Sequence, residues 1–387
     1  MRFLHTSDWH LGRIFHGAHL TSDQAHILEQ FIYLARDSKI NAIVIAGDIY
    51  DRAVPPPEAI NLLDEVISKL TLELKIPVIM IAGNHDSPER LGFGSRLLSK
   101  QGFHLVSRLE SDHTVILSDN NGPVEFHLIP YTEPPVVREY LEDTSLGDHN
   151  SALKALVERL PKSSARQVLV THHFVAGGLE SESERPLSVG GTGTVDSAIL
   201  APFNYVALGH LHRPQKVSYE HIQYSGSLLK YSFSEIDHAK SINLVELSPD
   251  GKPQIEKISL SPRREMRHIK GYLSDILKGQ TLDAQGKPIS IAKDDYLMVT
   301  LQDEGALLDA IGQLRSVYDN VLHIERPIIE NALELAKSKT DHRKVSDLDL
   351  FTQFFSNVTS QDLSPEQKKA YIEVVGQLHA KEREVAT

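Results

Sequence analysis

The chain has 387 residues, with 40 basic against 52 acidic side chains, a net charge of −12 and no cysteine. That length exceeds one ordinary core and predicts two or three domains, while the absence of thiols excludes disulfides and leaves only oxygen and nitrogen to hold a metal. The acidic balance argues against unaided DNA binding through phosphate neutralisation, but not against nucleic acid held by metals, by a local basic patch or through a partner. No apolar run nears the roughly 18 residues of a membrane span, and removal of a leader of roughly 15–30 residues would take Asp8 and His10 with it. A soluble, cytoplasmic protein with no membrane association is the expectation.

Arg2 to His5 reads as a short buried strand that empties into Thr6-Ser7-Asp8-Trp9-His10-Leu11-Gly12. In an extended segment residues i and i+2 point the same way, so Asp8 and His10 can reach one cation. Ser22 to Asp37 carries apolar residues at helical spacing. Asn41 to Ala46 is a continuous apolar strand of the kind covered on both faces, and it runs into Gly47-Asp48-Ile49-Tyr50-Asp51-Arg52. After Pro55-Pro56-Pro57, Ile60 to Leu70 predicts an amphipathic helix; Pro77 to Ala82 predicts a strand ending in Gly83-Asn84-His85-Asp86. Gln167 to Thr171 leads into His172-His173, and Tyr205 to Leu208 into Gly209-His210-Leu211-His212. Five strands thus deliver Asp, Asn or His at the same end, the edge where sites form in layered α/β folds.

The Gly-, Ser- and Glu-rich stretch from Phe174 to Thr194 is either a mobile connection or a loop that contacts the site. Glu265 to Lys270, Tyr296 to Thr300 and Val321 to Glu325 read as strands, with a helical stripe from Ala306 to Val317. The predicted organisation is 1–262, a small α/β domain over 263–330, a charged linker over 331–346 and a helical pair over 347–387. In the tail, Leu350, Phe351, Phe354 and Phe355 line one helix and Tyr371, Val375 and Leu378 the next, which Ser364, Pro365 and Gln367 begin as N-cap, N1 and N3. Two such helices cannot bury a core alone. The stripe packs on the preceding domain or, as the charged tether favours, on a partner.

Asp8, His10, Asp48, Asn84, His172, His210 and His212 form a sulfur-free ligand set with Asp48 as the natural bridge. It suits manganese or ferrous iron and permits zinc, and two such ions clamp an in-line phosphoryl transfer. His5, His173 and the other scattered histidines are expected in ordinary surface or buried roles.

The order D-x-H, G-D-x-x-D, G-N-H-D, H, G-H-x-H resembles the calcineurin-like metallophosphoesterases. The flanks His5 to Gly12, Gly83 to Ser87, Tyr224-Ser225-Gly226-Ser227 and Ser232-Phe233-Ser234-Glu235 are similar to their SbcD branch, the nuclease subunits of bacterial SbcCD complexes. The resemblance implies a layered α/β fold of central sheets flanked by helices, with a small capping domain that grips DNA. It implies one metal on Asp8, His10, Asp48 and His212 and another on Asp48, Asn84, His172 and His210, with His85 contacting the scissile phosphate. It also implies manganese-dependent cleavage of DNA, exonucleolytic on double-stranded ends and endonucleolytic on single strands and hairpins, in repair, recombination and replication. The implied assembly is a homodimer joined to a coiled-coil ATPase through Phe351, Phe354, Phe355 and the last helix. This chain has no G-x-x-x-x-G-K-[ST] loop of its own to bind ATP.

Asp51 stands where archaeal and eukaryotic relatives carry histidine, and Asp51-Arg52 is similar to the Ser/Thr phosphatases. That likeness implies an Asp51–His85 dyad with Arg52 on phosphate oxygens; the alternative is that Asp51 and Arg52 pair with each other. A stand-alone phosphatase or cyclic-nucleotide phosphodiesterase is the competing activity, and a non-cutting adaptor the competing class.

Overall fold

The computed structural model describes residues 1–109, 113–187, 193–303, 307–326, 347–359 and 361–385. Two compact units divide after Arg263.

In the first unit, two six-stranded sheets pack face to face. One has the order Pro253–Ser259, Ser241–Leu247, Arg2–Thr6, Ala42–Ala46, Val78–Ile81, Phe103–Val106; the other runs Gln215–Val217, Tyr219–Tyr224, Tyr205–Gly209, Arg166–His172, Gly122–Ile129, Thr114–Asp119. The sequence pattern explains the layering. Ala42, Val44 and Ala46 face the partner sheet, where they meet Phe126, Val168, Val170 and Ala207, while Ile43 and Ile45, also fully buried, point to the other side. Both faces are covered, so the strand is apolar throughout. Phe3 sits edge-on to Phe126 and to Tyr205, with ring centroids 5.6 Å apart in each pair. The helix Thr21–Asp37 buries Ile27, Leu28 and Phe31, and Phe31 takes the indole of Trp9 edge-on at 5.8 Å. Outside the second sheet, Val137 and Leu141 of Pro134–Leu141 join Leu153 and Leu156 of His149–Glu158 in a further core.

The ligand-bearing strands are neighbours. Arg2–Thr6, Ala42–Ala46 and Val78–Ile81 are mutually parallel in one sheet, as are Arg166–His172 and Tyr205–Gly209 in the other. Their carboxyl ends meet across the sandwich. Gly209 is what permits the approach: a Cβ there would lie 1.9 Å from the Ala46 carbonyl oxygen and 2.7 Å from His172 Nδ1. Any side chain would force the sheets apart at the site.

The second unit contains a four-stranded sheet, Leu282–Asp283, Met266–Gly271, Tyr296–Leu301, Asn320–Glu325, over a core of Ile269, Leu273, Ile276, Leu297, Val299, Leu314 and Val321. The helix expected from Ala306 to Val317 is the shorter Ala310–Arg315; Ala306 lies outside the described residues, and Asp309 caps the helix by accepting from Gly312 N–H. Two tail helices follow, Asp347–Thr359 and Pro365–Val385. The second opens with a reciprocal capping box, Gln367 N–H to Ser364 Oγ at 3.2 Å and Ser364 N–H to Gln367 Oε1 at 2.9 Å. The linker expected at 331–346 lies outside the described residues. Among the described residues, no helix is long and apolar enough to cross a membrane.

Candidate metal centre

The strand that brings Asp8 keeps pairing after its regular part ends. Asp8 N–H donates to Gly47 O, His10 N–H to Asp48 O and Leu11 N–H to Ile49 O, at 2.9–3.0 Å. Along this seam Asp8, His10 and Asp48 hold φ of 53°, 45° and 51°, and His210 holds 106°. Left-handed backbone in such residues costs on the order of 1–3 kcal/mol each and persists only where its surroundings enforce it. The buried Gln24 side chain supplies part of that enforcement. Its Nε2 donates to His10 O at 2.7 Å and to Trp9 O at 3.1 Å, while its Oε1 accepts from Gly12 N–H at 3.0 Å. Asp86 does the same for the next two loops, accepting from Gly83, Ile49 and Tyr50 N–H at 2.9–3.1 Å.

Three groups of possible ligand atoms lie within 4.8 Å of one another: Asp8–His10–His212, Asp8–Asp48–His172 and His10–Asp51–His85. Asp48 Oδ1 accepts from His85 N–H at 2.9 Å. Asp48 Oδ2 stands 3.6 Å from His10 Nε2 and 3.4 Å from His172 Nε2, between the two sets. His172 Nδ1 is 2.9 Å from the Ala46 carbonyl, so it donates there and leaves Nε2 as the nitrogen that can ligate once it gives up its proton. Nε2 faces Asn84 Oδ1 at 2.9 Å as well as Asp48. His10 Nε2 and His212 Nε2 also face each other, at 3.1 Å. His210 approaches through its ring, 5.5 Å from that of His172, and its N–H donates to Asp8 Oδ1 at 3.0 Å; it is in none of the three groups.

Carboxylate, amide and imidazole ligand atoms converging in one buried space are what a cation can gather, and the donor set fits a hard or borderline divalent ion. Burial is the largest influence on the Asp8 carboxyl and pushes it up to about 6. Burial resists charge on His172 too, but Asp48 beside it overrides this and raises the imidazole to about 9. Asp48 itself is held well below the usual carboxylate range, because His172, His85 and His10 outweigh its burial.

The Asp51–His85 dyad is not seen in the expected form. His85 Nδ1–H donates to the backbone carbonyl of Asp51 at 2.8 Å, and the Asp51 carboxylate is taken by Arg13 at 2.8 Å. Arg13 follows the first motif directly and reaches Asp51 before either His85 or the exposed Arg52 does. Among the described residues Arg52 has no ion pair, so the alternative Asp51–Arg52 pairing is absent too.

The loop after Phe174 is anchored rather than free. Phe174–Val175 pairs with Thr194–Val195, Leu179 exchanges two hydrogen bonds with the Gln215 side chain at 2.8–2.9 Å, and Ser183 and Glu184 bond to His212. Its Gly190-Gly191-Thr192 part lies outside the described residues. His5 and His173 are satisfied core histidines: His5 meets Tyr205 Oη and the Leu208 carbonyl, His173 meets Thr171 Oγ1. Gln24, Asp86, Ser183, Glu184, Glu235 and Lys240 were not singled out by sequence reasoning. Of these, Asp86 and Glu235 fall inside motifs, and neither position predicts its bonds.

Residues 1–214 match the family model described as calcineurin-like phosphoesterase, and 262–359 the one described as type 5 capsule protein repressor C-terminal domain. The chain is 34% identical over 371 residues to the D subunit of the nuclease SbcCD of Staphylococcus epidermidis (strain ATCC 12228 / FDA PCI 1200), covering 95% of this chain and 96% of that protein. Among solved structures it is similar, at 16% identity, to a dimetal phosphatase from Danio rerio (67% of this chain, 99% of that one, TM-score 0.40). It is similar at the same identity to TT1561 of Thermus thermophilus (66% and 98%, TM-score 0.37).

At pH 7.5 the metal-free His172 carries a proton, since Asp48 raises it to about 9, and ligation requires its loss. Titration with Mn2+ should therefore release about one proton or more per protein, seen as a binding heat that scales with buffer ionisation enthalpy; a heat independent of buffer would contradict it. Asp51→Asn, in turn, removes a charge already neutralised by Arg13 and leaves the backbone bond to His85 intact. The basic limb of the pH–rate profile should stay where it is, and a clear downward shift would restore the carboxylate dyad.

Proposed function

The chain belongs to the calcineurin-like phosphoesterases and, across nearly its full length, to the family of the SbcCD nuclease's D subunits, and we propose on that footing that it cleaves DNA with two manganese ions as part of an SbcCD-type complex. It is a metal-dependent phosphodiesterase by family. The observation that carries the finer reading is Asp48 Oδ2 standing between the imidazoles of His10 and His172, a carboxylate set to serve two ions at once.

In this reading Asp8, His10, Asp48 and His212 hold one ion and Asp48, Asn84, His172 and His210 the other. When bound, such a pair activates water near neutral pH and neutralises charge on the phosphoryl group. The chain's own contribution is placement. His85 has its Nδ1–H fixed on the Asp51 carbonyl, which leaves Nε2 to contact the scissile phosphate and to manage the proton of the leaving oxygen. Arg52, exposed beside it, is the candidate for an auxiliary phosphate contact. We assign exonuclease action on duplex ends and endonuclease action on single strands and hairpins, with roles in DNA repair, recombination and replication in the cytoplasm.

The second unit is proposed to supply the DNA-gripping sheet and the docking hairpin for an SbcC-type coiled-coil ATPase. In the hairpin Phe351 stacks on Tyr371, with centroids 4.1 Å apart, and also neighbours Phe355. Phe354 is 44% exposed, and Ile372 and Val374 each 56%, apolar side chains on both helices that a partner can cover, while Val375 is half-buried. The side chains of Leu350 and Leu378 lie outside the described ones.

A homodimer seam is proposed on the first unit. The helix Pro57–Ser68 turns Leu63 and Val66 inward but leaves Ile60 out. Ile60 lines a groove with Val54, Leu72, Phe93 and Leu98, of which Phe93 is 88% exposed. A contiguous apolar patch of this kind marks an interaction site.

With Mn2+, the parent should degrade linear duplex and open hairpins, and His85→Ala should lose roughly a hundredfold or more of that rate. Turnover confined to p-nitrophenyl esters, with and without the ATPase, would favour a stand-alone phosphatase; no hydrolysis of any substrate would favour an adaptor. Phe93→Glu should convert a dimer to a monomer in sedimentation, and a persisting dimer would move the seam elsewhere.

A further inference from the structure

Behind His212 lies a buried charged pair that does not reach the reacting space. Glu235 has no solvent exposure, and Lys240 is 7% exposed. Lys240 Nζ donates to Glu235 Oε2 at 2.5 Å, to the His212 carbonyl at 2.8 Å and to Ser227 Oγ at 2.8 Å. Burial opposes the charge on Glu235, but Lys240 and His212 outweigh it and hold the carboxyl well below its usual range. The other carboxylate oxygen, Oε1, accepts from the Ser183 hydroxyl and lies 3.2 Å from His212 Nδ1. Ser183 Oγ is 2.7 Å from the same Nδ1.

Counting protons fixes the histidine. A carboxylate only accepts, so the single hydroxyl proton of Ser183 goes to Glu235. The Ser183 oxygen is then left to accept, and the nitrogen facing it must donate. His212 is therefore protonated on Nδ1, and its Nε2 presents a lone pair toward His10 Nε2 at 3.1 Å. Ser183 belongs to a segment held by hydrogen bonds to His212, to the 232–235 turn and within itself. Glu184 Oε1 accepts from His212 N–H at 2.8 Å, Glu182 N–H donates to Ser234 Oγ at 3.1 Å, and Ser181 N–H and Oγ–H both go to Glu184.

We propose that Glu235, neutralised by Lys240, is a positioning residue that holds His212 with Nε2 toward the ion shared with Asp8 and His10, and that Ser183 ties the 179–184 segment to that ion's affinity. This rests on the binuclear reading above and deepens it. A buried ion pair by itself is weak evidence of stability, since apolar residues of similar size often do as well; its bonds to His212 give it a use. Carboxylate partners of metal-bound histidines typically account for 10–100-fold in metal affinity.

The test is Mn2+ binding to the full chain, followed by calorimetry and by electron paramagnetic resonance. Glu235→Leu with Lys240→Met removes both charges together, so the fold keeps its melting temperature within a few degrees. The expected result is two ions on the parent and, on the double variant, one site weakened about 10–100-fold with the other unchanged. At equal manganese the exchange-coupled spectrum of the parent should give way to that of isolated Mn2+. Ser183→Ala, at a half-buried loop position that does not threaten folding, should weaken the same site by about tenfold. Parent-like affinity and coupling in the double variant, or in Ser183→Ala, would overturn the corresponding half of the proposal while leaving the binuclear reading standing. Fewer than two ions on the parent would overturn both.

Discussion

A buried carboxylate oxygen between two imidazole nitrogens is the constraint on which the rest of this fold depends. Asp48 Oδ2 lies within 3.6 Å of His10 and His172, which belong to different sheets, so the sandwich must close tightly at that edge. Gly209 makes the closure possible against Ala46, and the Phe3–Phe126–Tyr205 packing holds it from within. The left-handed turns at Asp8, His10 and Asp48 follow from the same requirement. A strand that merely ended would fan its side chains into solvent; one that continues to pair through Gly47, Asp48 and Ile49 carbonyls keeps them converging. The strain is offset by polar side chains that bond the loop backbones, Gln24 under one loop and Asp86 under two.

Much of this was legible in the sequence because it is local. A strand end followed by a polar residue two positions on puts both on one side, and five such ends in one chain leave little freedom about where they meet. The continuous apolar strands reported burial on both faces, and Ser364-Pro365-x-Gln367 reported a helix start, each through chemistry contained within a few residues. What was not legible depends on distant partners. Asp51 has a histidine and an arginine close by in the motifs, yet Arg13 holds its carboxylate and only its backbone carbonyl serves His85. Nothing in the sequence beside Asp51 signals that choice. Likewise Ser183 and Glu235 lie 52 residues apart and meet on His212, and the loop between Phe174 and Thr194 has the composition of a free connection while its Ser183 and Glu184 bond to His212. His210 joins the two kinds of signal: its motif puts it at the strand end, and there its ring lies beside that of His172 while its backbone N–H bonds to Asp8.

The charge distribution also resolves how a chain with a net charge of −12 attracts a phosphodiester. Most of that charge is spread over exposed side chains, where salt screens it beyond about 10 Å at 0.1 M ionic strength. At the site the balance is set by a few buried groups. Asp51 is neutralised by Arg13 and Glu235 by Lys240, so neither adds a net negative field. Asp8, Asp48 and the buried Asp86 remain, and the two divalent ions of the proposed reading would over-compensate them, making the pocket net positive inside an acidic protein. The attraction for phosphate is therefore conditional on metal in a way that a basic groove would not be. Without metal the same pocket keeps its buried carboxylates and lacks the positive charge that the ions would bring. On the proposed reading binding and chemistry then share one switch, and specificity for DNA over small esters comes from surfaces beyond it, the part proposed for the second unit and the assembly.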